Sequence, residues 1–159
     1  AASDVYKRQV QAPDPRMQPL VKGPDFPALA RYRDEYQADG TDDTAIVDSS
    51  GAMVETTTGA LVAWDEETLI LPTGQALPSI TLRQVARRAS DLGIHTETRP
   101  ITPELAAECP LWFLNSLHGI SPVSELHAPT GVIHPPHSPH TVAWQQWWWG
   151  CFRKETAGD

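Results

Sequence analysis

Lysine and cysteine are scarce in this chain of 159 residues, which carries only Lys7, Lys22 and Lys154, with Cys109 and Cys151. Two distant cysteines without a secretory leader give no disulfide framework, so a reducing, cytoplasmic setting is expected. No apolar run approaches the ~18–20 residues that cross a bilayer, which excludes a transmembrane helix and argues against a membrane partner. Positive charge is short as well: 12 Lys+Arg against 20 Asp+Glu leave a net charge of −8. The arginines are scattered, so a nucleic-acid face is not expected. An initiator Met is lacking, and no internal repeat is visible.

Proline is abundant, with 15 residues against an average usage of ~5%, nine of them clustered in 13–27 and 129–139. The hydrophobic content of 40% suffices for one ordinary core. Ala1–Gln9 is polar, has no apolar period and resembles a read-through tail. It therefore reads as lying outside the fold, with native sequence beginning near Val10. Gln11–Pro19 reads as a proline-punctuated linker.

The rest alternates helix and strand signals. Leu29, Tyr32, Arg33 and Tyr36 predict a helix over Pro27–Asp39 that stops at Gly40. Thr44–Asp48 and Ala52–Thr57 flank a Ser49–Ser50–Gly51 turn and predict a hairpin. Leu61–Trp64 and Thr68–Leu71 predict a second hairpin about the acidic turn Asp65–Glu67. Leu82, Val85, Ala86, Ala89 and Leu92 form a helical stripe over Ile80–Leu92, with Gly93 as its stop. His95–Ile101 alternates like a strand, and Thr102–Pro103–Glu104 starts a helix. Leu111–Leu114 reads as a buried strand, Ser116–Pro122 as a loop, and a C-terminal helix capped by Ser138 or Thr141 carries four tryptophans. The expected class is α/β (α+β), a mixed sheet or pseudobarrel with flanking helices.

Four segments carry chemistry. Lys22 has apolar Leu20 and Val21 before it. A lysine in an apolar pocket is a free amine able to form a Schiff base, but from the residues alone the reading favoured is a surface lysine beside the turn glycine Gly23. Glu55 ends the apolar stretch Ala52–Val54, and a half-buried carboxylate needs a partner such as a protonated pyridine nitrogen; the alternative is a strand-edge Glu. Leu77–Pro78–Ser79–Ile80–Thr81 places hydroxyls and free N–H groups at a helix start, a seat for phosphate or a simple N-cap. Asn115–Ser116–Leu117–His118–Gly119 is a polar loop leaving a buried strand. His134, His137 and His140 recur every third residue and could share one face of a polyproline II segment. Without a carboxylate they read as a loop rather than a metal site. The tryptophans are read as packing, not as a base-stacking platform.

Together these segments resemble the fold-type IV pyridoxal-phosphate enzymes, the class IV aminotransferases. The likeness runs from about Pro19 to Leu126 and corresponds to that family's second domain. It divides the chain into 1–21, a start and interdomain linker; 22–126, the cofactor-binding domain; and 127–159, a Pro/His loop and Trp-rich helix. The family's first domain, with a phosphate-binding arginine, finds no counterpart before Lys22.

The resemblance implies roles. Lys22 is the Schiff-base lysine and the proton carrier, and Glu55, at the end of Met53–Val54–Glu55, pairs with the pyridine nitrogen. Leu77 packs on the ring, while Ser79, Ile80, Thr81 and Ser116 hold phosphate. Asn115, Leu117 and His118 face the substrate. The implied cofactor is pyridoxal 5′-phosphate, and the implied assembly a homodimer. The pattern Asn-Ser-Leu-x-Gly-Ile-x-Pro-Val is similar to 4-amino-4-deoxychorismate lyases, which eliminate pyruvate to leave 4-aminobenzoate for folate synthesis. Branched-chain or D-amino-acid aminotransferases, and a non-catalytic domain derived from the family, are the alternatives. Three departures stand out: Ala60 where the family has Asn, Ser79 in place of Gly, and Phe26 near the position of a cofactor-bonding Tyr.

Overall fold

The computed structural model describes residues 14–17, 25–37, 40–74 and 79–151, together with the backbone of 5–9 and 152–157. Among the described residues, nine strands form one mixed sheet. They are β1 (Val5–Gln9), β2 (Asp43–Val47), β3 (Met53–Thr56), β4 (Ala60–Asp65), β5 (Thr68–Leu71), β6 (Thr96–Thr98), β7 (Leu111–Asn115), β8 (Gly119–Ala128) and β9 (Gly131–Ile133). The helices that accompany them are α1 (Phe26–Tyr36), α2 (Ile80–Asp91), α3 (Pro103–Glu108) and α4 (Thr141–Ala157). The strand order is β3-β2-β1-β8-β7-β4-β5-β6, with β9 on β8. This is the mixed α/β architecture expected.

Alternation along the central strands divides the core between two faces, because successive side chains on a strand point oppositely. Leu61 and Ala63 of β4, with Leu111 and Phe113 of β7, join Met53, Ile70 and Ile101 on one face. Val62 and Trp64, with Trp112 and Leu114, pack on the other against Val85 and Ala89 of α2 and Trp144 and Trp148 of α4. Strands buried on both faces read as unbroken apolar runs, as Ala60–Trp64 does. A third cluster sets Tyr32 of α1 on Ile46 and Val54.

Both hairpins form in the expected places, β2 with β3 and β4 with β5. Ser79 caps α2 by accepting from the Leu82 N–H at 3.2 Å, and Thr102 caps α3 through Leu105 at 3.2 Å. On α2 the stripe is led by Thr81, Val85 and Ala89, while Leu92 lies past the last turn and is exposed.

Two expectations are corrected. Val5–Gln9 is not outside the fold: β1 lies between β2 and β8 and runs parallel to both. Ser116–Pro122 is not a continuous loop either, since the turn ends at His118 and Gly119 opens the ten-residue strand β8. The three histidines do not gather: His134 and His137 are exposed, His140 stacks on Trp64 with ring centroids 4.5 Å apart, and no metal-binding group occurs among the described residues.

Candidate functional site

The strand ends and one helix start converge on a cavity of about 530 Å³. Glu55, the third residue of β3, is 6% exposed and forms part of its wall. Ser79, Ile80 and Thr81 at the start of α2 line it, as do Asn115 and Ser116 where β7 ends. Phe26, Leu29, Ala30 and Arg33 of α1 supply a largely apolar side.

A turn without a local sequence signal, Thr57–Gly59, shapes one side of the cavity. Asp43, 1% exposed, accepts hydrogen bonds from the hydroxyls of Thr57 and Thr58 and from the Thr58 N–H at 3.2 Å. Thr56 adds bonds to Gly59, and Thr56–Ala60 all line the cavity. The close approach at Gly59 explains its lack of side chain. A Cβ there would stand 2.4 Å from the Leu114 carbonyl oxygen and 2.6 Å from the Phe113 ring.

Arg16 is the second residue missed. Its Nη1 bonds Glu55 Oε1, and its Nε and Nη2 bond Asp14 at 2.9 and 2.6 Å. Burial alone would lower the guanidinium, but the bond to Asp14 and the charges of Glu55 and Asp14 hold it above its ordinary value. Nearby, Tyr32 is pushed up to about 12, chiefly by burial and then by the charge of Asp14. Its hydroxyl has no partner among the described residues. Arg16 gives no periodic signal, and 39 residues separate it from Glu55, so only the fold reveals the pair.

The remaining expected positions divide. Leu117 and His118 sit on the exposed turn and do not line the cavity, and Asn115 Oδ1 accepts from the His118 N–H at 2.7 Å, bracing that turn. Ile80 lines the cavity although it is 67% exposed. Lys22 and Leu77 lie outside the described residues.

The cavity brings together a buried carboxylate, several hydroxyls, the first turn of a helix and apolar side chains. It suits a flat ring that is cationic at one atom and carries an anionic group at another.

The amino-transferase class IV sequence pattern matches residues 1–126. The chain belongs to that family. The match includes β1, against the expectation that Ala1–Gln9 lies outside the fold. No protein of curated function matches the chain. Among solved structures, the branched-chain aminotransferase of Thermoproteus uzoniensis with norvaline superposes with a TM-score of 0.80 at 21% identity, over 92% of this chain and 50% of that one. The branched-chain amino acid aminotransferase of Escherichia coli gives 0.77 at 19% identity, over 92% and 52%. The 4-amino-4-deoxychorismate lyase of Pseudomonas aeruginosa gives 0.73 at 20% identity, over 91% and 54%. The chain thus spans about half the length of these structures. At such identities they establish the fold.

Proposed function

We propose that this chain is the cofactor-carrying half of a pyridoxal 5′-phosphate enzyme, of the 4-amino-4-deoxychorismate lyase kind. The observation that carries the cofactor reading is the cavity that unites Glu55, the α2 start and Ser116. These residues fit the group: Glu55 would hold the ring nitrogen, and Ser79, Ile80, Thr81 and Ser116 would hold the phosphate. When bound, the cofactor supplies a ring that accepts electron pairs from the substrate carbon.

The chain's own groups do the rest. The N–H groups of Ile80 and Thr81 fall where a helix offers no internal acceptor, and the helix dipole favours an anion there. Lys22 supplies the amine that anchors the cofactor and moves a proton to and from the substrate carbon. The lyase reading draws on Asn115–Val123, with Asn115 and Ser116 at the cavity and the Gly119–Val123 part running on into β8. The substrate is aminodeoxychorismate, or an amino acid if the enzyme is instead a transaminase. The expected assembly is a homodimer.

Borohydride reduction in the presence of pyridoxal phosphate, on the chain within its full reading frame, tests this reading. A single phosphopyridoxyl group on Lys22 is expected. No label, or label spread over Lys7 and Lys154, overturns it. Pyruvate release from aminodeoxychorismate then separates the lyase from a transaminase, which would form an oxo acid from the amino donor.

A further inference from the structure

Arg16 does not line the cavity, yet its side chain is only 3% exposed and one arm of its guanidinium ends on Glu55. The other side of the fork is taken by Asp14, whose Oδ1 also accepts the Arg16 backbone N–H at 2.9 Å. The next residue pins the segment again: the Met17 N–H donates to Asp25 Oδ1 at 2.9 Å, at the start of α1. An arginine with a buried side chain is thus clamped onto the carboxylate that lines the cavity.

We infer that Arg16 is a positioning residue that keeps Glu55 a carboxylate, so that a proton shared with a cofactor ring nitrogen rests on the nitrogen. The inference rests on the cofactor reading above. Burial by itself favours the neutral form of a carboxyl group. A neutral Glu55 would offer the ring nitrogen a hydrogen bond and no counter-charge, leaving the ring a weaker electron acceptor. A guanidinium bonded to the carboxylate reverses that preference, because it touches the group that becomes negative and does not itself line the cavity.

The test uses pyridoxine 5′-phosphate labelled with 15N in the ring, bound to the chain within its full reading frame. This ligand has no aldehyde and needs no bond to Lys22. The unsubstituted protein should show a protonated ring nitrogen at neutral pH. Arg16→Gln and Arg16→Met should move the resonance to that of a neutral pyridine, and Arg16→Lys should restore the protonated position. A ring nitrogen that stays protonated in the neutral variants overturns the inference and leaves the cofactor reading intact. No binding by the unsubstituted protein overturns the cofactor reading, and the inference with it. If neither neutral variant folds, the ligand-free unsubstituted protein decides through the 13C resonance of the Glu55 carboxyl group. A carboxylate at about pH 5 supports the inference, and a neutral acid overturns it.

Discussion

Asp43 holds Thr58 at two points, accepting both its hydroxyl and its N–H on the same carboxylate oxygen. The acid opens β2 and the threonine follows β3, so this contact closes the hairpin's far end and sets the path of Thr57–Gly59 along the cavity. Asp43→Ala should cost about 1–3 kcal/mol, since the part-buried donors of Thr57 and Thr58 lose a shared acceptor at once. Urea denaturation measures it. The same variant should bind pyridoxine 5′-phosphate more weakly than its lost stability alone explains, read at a temperature where it remains folded.

Gly59→Ala acts on the same turn from the other side. Its Cβ would enter space held by the Leu114 carbonyl and the Phe113 ring, so the start of β4 must move away from β7. Backbone is involved, and a rotamer change cannot relieve it. A loss of about 1–3 kcal/mol is expected, and a variant as stable as the parent would show that the turn can shift freely.

The hairpins and α2 were legible because their signals are local. Ser49–Ser50–Gly51 interrupts two short strands, and Ser79 and Gly93 bracket a 3.6-residue stripe. β1 was not legible: Val5–Gln9 reads as a charged, polar stretch, and its partners Asp43–Ala45 and Val123–His127 lie far along the chain. Pro122 and Gly119 hid the start of β8, because both normally interrupt strands. At the site, Glu55 and the α2 start carry signals within a few residues. Arg16 and Asp43 do not, since their importance lies in partners 39 and 15 residues away.

The C-terminal helix lies beyond residues 1–126, yet it completes the core. Trp112 Nε1 donates to Thr141 Oγ1 at 3.1 Å, Gln145 bonds the Ile120 carbonyl at 3.1 Å, and Trp148 Nε1 bonds Gln84 at 3.2 Å. Trp144 sits 5.6 Å from Trp64 and 5.8 Å from Trp112 between ring centroids. Trp144→Ala should therefore cost about 3–5 kcal/mol. Thr141→Val, which removes only the indole's acceptor, should cost about 1 kcal/mol. Near-parental stability for Trp144→Ala in thermal unfolding would mean that α4 contributes little to the core.

Acid sensitivity should be traceable to the β2–β3 turn. Asp48 lies well placed there: its Oδ1 accepts from the Ser50 hydroxyl at 2.5 Å, the Ser50 N–H at 2.8 Å and the Ala52 N–H at 3.2 Å. The Ser50 hydroxyl bond above all, aided by the backbone N–H groups, holds the carboxyl below its ordinary value. A carboxyl depressed on folding adds stability that is present above its unfolded pKa of ~3.9 and lost as pH falls through the folded value. Asp48→Ala should thus be less stable than the parent at neutral pH by about 0.5–1.5 kcal/mol, the worth of such a partly exposed bond set. The ionic share of that difference should shrink as the pH is lowered past the unfolded value. Stability curves measured for both proteins between neutral and strongly acid pH check this. A gap that is unchanged across the range would show that the carboxylate's charge does not stabilise the turn.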